Sequence, residues 1–264
     1  MGSETRRPVI ATAFETIDEI VRQSGRRETT PLRTQFLQAA DKQGVKTPGP
    51  LASFVQRQDP QALRLYLLAL TKASSKPWET ALPAAVWARA LNLDLPESKS
   101  AVSKISKMWK RIEGRGLIER RRFKRMAHVH LLKEDGSGDP YDLPHNVGDR
   151  YFRLPTVFFT DGPSAEERWY LTLNLAEISM LLIARSLGDG FRLPFEDMPA
   201  WYGISADTAL KGLHGLADHH LIRIDKFYKK APLAAKGFTL ENHYTLLAPF
   251  GPVGRRQRRR RQSE

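Results

Sequence analysis

Apolar positions along residues 100–115 recur every three or four residues, at Val102, Ile105, Met108 or Trp109, and Ile112. That spacing predicts one buried stripe on a helix. Ser100 is a candidate N-cap, since its hydroxyl can accept a bond from the first turn. After Gly114 and Gly116, which favour a left-handed exit, the period changes. Leu117 and Ile118 open a strand, and Val129 and Leu131 alternate with His128 and His130 on a returning one.

Two helical patterns precede this stretch. Asp59-Pro60 is read as a cap and first turn, followed by Leu63, Tyr66, Leu67 and Leu70 on one face. A shorter helix is expected from about residue 83 to 91. Three helices and a two-stranded ribbon make a winged helix-turn-helix unit over residues 58–133.

A second unit is expected over residues 151–250. Residues 151–159 are strand-like. Asn174 and Glu177 fit a capping box opening a helix over 175–187. A short helix over 195–202 follows, then a helix starting at Ser205, whose apolar residues include Leu210, Leu213 and Leu216 or Ala217. Residues 221–224 and 238–247 are the strands of a second hairpin. Aligning Leu117-Ile118 with Leu221-Ile222 places Ile105, Trp109 and Ile112 over Ala209, Leu213 and Leu216. The expected class is therefore mainly α with small β-hairpins, as two winged helix-turn-helix units. Residues 1–57 are expected to be a helical extension, with helices over 11–22 and 32–41, the second carrying Pro31 at its start. Residues 134–150, rich in Gly and Pro, are the expected linker.

Charge adds the chemistry. The chain has 264 residues, 42 Lys and Arg against 29 Asp and Glu, and a formal charge of +13. Between Lys99 and Arg125, eleven basic residues face two acids, Glu113 and Glu119. A solvated face explains some such runs. So many unmatched like charges point to a polyanion partner. Ser103, Lys104, Ser106, Lys107, Lys110, Arg111 and Arg115 are the expected groove-facing residues of duplex DNA binding. Arg111 or Arg115 suits guanine, and the lysines suit phosphate. Arg120, Arg121, Arg122, Lys124 and Arg125 would form a wing gripping backbone.

The second unit is more balanced, with five Lys or Arg and three Asp over residues 205–230. Its expected contacts are Lys211, His214, Lys226, Lys229 and Lys230. It either touches DNA or packs on protein. The tail, 251–264, holds Arg255, Arg256, Arg258, Arg259, Arg260 and Arg261 and is expected to be disordered without a polyanion.

The chain has no cysteine, so it has no disulfide and no thiolate metal site. Phosphate-binding, dinucleotide and nucleophile-elbow motifs are missing, so no enzyme, cofactor or metal is expected. Neither a membrane-length apolar run nor a secretion-signal core is present, and a bacterial cytoplasmic, nucleoid-associated protein is expected.

With helix 100–115 and wing 117–132, then helix 205–219 and wing 221–247, the chain resembles bacterial tandem winged-helix DNA-binding proteins over residues 58–250. That group includes plasmid replication initiators and mobile-element regulators. The resemblance implies a double-stranded DNA partner, and a homodimer or protein partner through the second unit or the N-terminal extension. Transcriptional control is the leading expectation. Replication initiation, or a non-enzymatic adaptor with loose nucleic-acid binding, stands beside it.

Overall fold

Helix α3 (Pro60–Lys72) lies at the centre of the molecule, and every residue from Ala62 to Thr71 is buried. A helix buried on all sides needs neighbours on all sides. In this computed structural model, residues 10–26, 28–40, 43–123, 126–144 and 149–251 are described.

In chain order the elements begin with α1 (Ala13–Gln23), β1 (Thr29–Arg33), β2 (Gln38–Ala40), β3 (Lys46–Pro48) and α2 (Leu51–Gln56). After α3 come β4 (Glu79–Thr80), α4 (Ala84–Ala90), α5 (Lys99–Glu113), β5 (Ile118–Phe123) and β6 (Met126–Leu131). Then follow β7 (Tyr151–Pro155), α6 (Val157–Thr160), α7 (Trp169–Thr172), α8 (Leu175–Leu187), α9 (Met198–Tyr202), α10 (Ala206–Asp218), β8 (Ile222–Lys230) and β9 (Phe238–Leu246).

The expectation of a mainly α chain is overturned. About 42% of the chain is helical and 22% is strand, a mixture of α and β arranged in small antiparallel sheets. Much of the unexpected strand lies before residue 57, where helices were expected. Leu32 and Arg33 belong to β1, not to a helix begun by Pro31, and only a single 3-10 turn follows, at Thr34–Phe36. Pro31 lacks an N–H, which an edge strand tolerates. β1 pairs with β7 from Thr29↔Pro155 to Arg33↔Tyr151. The N-terminal segment is thereby tied to the start of the second half. β4, also unexpected, joins the first hairpin in a three-stranded sheet of order β4-β6-β5.

Other expectations match the structure closely. α8 spans 175–187 with its capping box: Glu177 N donates to Asn174 Oδ1 at 3.1 Å, and Asn174 N to Glu177 Oε2 at 2.7 Å. Ser205 caps α10, accepting from Thr208 N at 3.1 Å. Helix α5 starts two residues earlier than expected, because Ser98, not Ser100, accepts from Ala101 N at 3.1 Å. Gly116 takes φ +70°, and a Cβ there would stand 2.6 Å from Gly136 O. Glycine is required both for the left-handed turn and for that close approach.

The order of helix, short strand, two helices and hairpin occurs twice, the second time with only a Phe191↔Tyr244 bridge as the short strand. The two sets share one continuous buried cluster running from Ile17 to Phe250. In the stretch expected to be a linker, Glu134 is fully buried and accepts from Arg33 Nη1 at 2.6 Å. Arg33 Nη2 also donates to Asp142 at 2.7 Å and to Asp149 at 3.2 Å. Burial alone would disfavour the guanidinium charge, but Glu134 and Asp149 outweigh it and raise the pKa of Arg33.

Candidate nucleic-acid interface

Ala101, Ile105, Met108, Trp109 and Ile112 turn α5 inward, and Trp109 meets Trp87 of α4 edge-on at 5.5 Å. The 100° step between residues then sets the other faces. Ser103, Lys107 and Lys110 point away from the core and are exposed, with exposed Lys104 on the flank. Lys104, Lys107 and Lys110 make no ion pair among the described residues. Val102, expected in the buried stripe, is half-exposed. With Ser106 and Glu113 it lines a cavity of about 1260 Å³ between α5 and the β5–β6 hairpin.

Two arginines expected to meet guanine are turned to internal use. Arg111 donates from Nε and Nη2 to Asp59 at 2.7 and 2.8 Å. Arg115 donates from Nη2 to the same carboxylate at 3.0 Å and from Nε to Ser53 Oγ at 3.0 Å. Its guanidinium lies 4.1 Å over the Phe54 ring, and its side chain is only 6% exposed. Arg115 is therefore a structural group, because two bonds and an aromatic face hold it inside. Arg111 keeps an exposed edge. Asp59, expected as a helix cap, makes no side-chain cap bond. Burial would raise its pKa, but the bonds from Arg111 and Arg115 outweigh that and lower it.

The hairpin is also partly self-neutralised. Arg120 donates from Nη2 to Glu113 at 2.7 Å and is half-buried. Arg121 pairs with Glu119 at 3.0 Å on the surface. Arg122 is exposed and has no ion pair among the described residues. Lys124 and Arg125 lie outside the described residues, as do Arg255, Arg256, Arg258, Arg259, Arg260 and Arg261.

Arg57 carries no sequence signal that marks it for the site. It lines a cavity of about 570 Å³ with Lys110, Arg111 and Gly114 at the end of α5. It closes the short helix α2, in a segment whose apolar pattern gave no orientation. Arg57 makes no ion pair among the described residues.

In the second set, Lys211 pairs with Asp207 at 2.8 Å on the exposed side of α10. His214 is exposed there too, and so is Leu210, expected inside. Gly212 is buried in its place, where a Cβ would stand 2.5 Å from Ala176 O of α8. Lys226 and Lys230 are exposed on β8, and Lys229 reaches Glu241 at 3.1 Å.

Comparison with protein families, curated proteins and solved structures gives no significant match.

The candidate interface is thus a row of lysines on α5 with no ion pair among the described residues, flanked by arginines partly held in place by acids. Glu79 Oε2 stands 3.2 Å from His130 Nε2 and 3.6 Å from His128 Nδ1, a neighbour to both histidines supplied by the unexpected strand β4. Among the described residues no cluster of His, Asp and Glu side chains is arranged to hold a metal ion. Nor is any helix among them long and apolar enough to cross a membrane.

Proposed function

We propose that the chain binds duplex DNA sequence-specifically and acts in transcriptional control, in the manner of the tandem winged-helix proteins it resembles. The observation that carries this reading is the unpaired row of Lys104, Lys107 and Lys110 on the exposed side of α5, beside a hairpin bearing Arg120, Arg121 and Arg122. An exposed helix of this width fits the major groove, and a basic hairpin beside it fits neighbouring backbone. With Arg115 withdrawn, base contacts fall to Ser103, Ser106, Lys107 and the free edge of Arg111. Lys104, Lys110 and Arg57 serve phosphate. The setting is the bacterial cytoplasm, on the nucleoid.

Two helix-and-hairpin sets on one core also fit repeated sites at a replication origin. Both roles use the same contacts and differ in where the sites lie.

A genome-fragment binding selection tests the reading, with a Lys104→Ala/Lys107→Ala/Lys110→Ala control. These lysines are exposed and unpaired, so the control leaves the core intact. A compact enriched sequence, lost in the control, is expected. Enrichment at promoters favours the regulator, and enrichment at clustered repeats favours the initiator. Equal, sequence-independent recovery with both proteins would overturn specific binding by α5.

A further inference from the structure

The β8–β9 hairpin runs beyond the core that holds its base. Its register puts Ile222/Leu246, Ile224/Tyr244, Lys226/Asn242, Tyr228/Leu240 and Lys230/Phe238 on one face. Tyr244 and Leu246 at the base are buried, as is Ile222. Farther out the same face continues with no cover: Tyr228 is 75% exposed, Leu240 49% and Phe238 41%. Tyr228 and Phe238 meet edge-to-face at 5.1 Å, so their rings hold each other in place.

Charge on the two faces differs. The acids of the hairpin, Asp225 and Glu241, sit on the opposite face. There Asp225 is met by Arg223 at 2.9 Å, and Glu241 by Lys229 at 3.1 Å and Arg192 at 3.0 Å. The face of Tyr228 and Phe238 carries Lys226 and Lys230, which have no ion pair among the described residues, whereas on the opposite face exposed Phe227 packs against His243 at 4.5 Å. The face of Tyr228 and Phe238 adjoins a cavity of about 750 Å³ lined by Arg192, Phe195, Trp201, Leu240, Asn242 and Glu241, the last held by Arg192 and Lys229.

We propose that this face and the adjoining cavity bind an unpaired nucleic-acid strand, its bases stacked on Tyr228 and Phe238 and its phosphates held by Lys226 and Lys230. Aromatic rings interleaved with lysines on one face of a ribbon are what single strands require, whereas a duplex hides the faces of its bases. A second copy of this chain is the poorer occupant. Stacking two such faces would bring Lys226 and Lys230 of each copy together, with no acid on either face to offset them. The site is separate from α5, so it stands or falls independently of the duplex reading.

The test measures binding of fluorescein-labelled oligothymidylate and of a mixed-sequence duplex to the full chain at several salt concentrations. Tyr228→Ala/Phe238→Ala should weaken the oligonucleotide by roughly tenfold or more and leave the duplex unchanged. Lys226→Gln/Lys230→Gln should lower the salt slope for the oligonucleotide by about 0.7 per lost phosphate contact. Tyr228→Trp should keep affinity, with its indole emission quenched on binding. The lysine variants of α5 should show the reverse pattern, losing the duplex and keeping the oligonucleotide. Equal oligonucleotide affinity of wild type and Tyr228→Ala/Phe238→Ala would overturn the proposal. So would wild-type protein that ignores the oligonucleotide and instead binds phosphatidylserine vesicles, or dimerises through this hairpin.

Discussion

Arg111 and Asp59 form a two-bonded pair at 2.7 and 2.8 Å, and Arg115 approaches the same carboxylate at 3.0 Å. One acid thus fixes the end of α5 to the start of α3. Asp59 is 8% exposed at its side chain and Arg115 6%, so removing the acid leaves a buried cation unpaired. Asp59→Ala should destabilise the fold by about 3–5 kcal/mol, read from urea unfolding. Arg111→Ala should cost less, since Arg111 is 41% exposed and water replaces its partner.

The same pair gives a pH dependence. The Asp59 carboxyl in the folded chain titrates below the ordinary carboxylate value. Its contribution is therefore complete above the unfolded pKa of about 3.9 and is lost as pH falls through the folded value. Urea midpoints followed from neutral pH into this acid range should fall more steeply for wild type than for Asp59→Asn. Parallel acid limbs would remove Asp59 from the account.

Arg33 offers a double-mutant cycle. Arg33→Met strands the fully buried Glu134, and Glu134→Leu leaves Arg33 with only Asp142 and Asp149. Arg33→Met alone should cost about 3–5 kcal/mol, and Arg33→Met/Glu134→Leu should recover much of that loss. Additive costs in the cycle would show that the two groups are not coupled.

Gly116→Ala tests the turn between α5 and its hairpin. Positive φ and the 2.6 Å approach to Gly136 O together predict a loss of at least about 1–3 kcal/mol in chemical denaturation. A neutral substitution would mean that the loop carrying Gly136 moves freely away.

Local signals decided which parts of this fold were legible in the sequence. The capping box at Asn174 and Glu177, the cap at Ser205 and the stripe from Ile105 to Ile112 are short-range features, and the structure reproduces each. β1 was illegible because Thr29–Arg33 depends on a partner strand more than a hundred residues away. Its Pro31 resembles a helix start when read alone. The charge run of α5 showed which residues are basic but not which are occupied. Arg111 and Arg115 look no different in sequence from Lys107 and Lys110, and only folding brings Asp59 to them. Arg57 joined the site for the same reason, through the packing of α2 rather than through any pattern of its own.

The salt dependence of duplex affinity tests the central claim most directly. Fluorescence anisotropy with a selected duplex should show log K falling linearly with log salt for wild type. The Lys104→Ala/Lys107→Ala/Lys110→Ala variant should bind more weakly, with a slope reduced by about 0.9 for each lysine that touches a phosphate. An unchanged slope and affinity in that variant, with its fold intact by circular dichroism, would contradict the assignment of α5 as the DNA-binding helix.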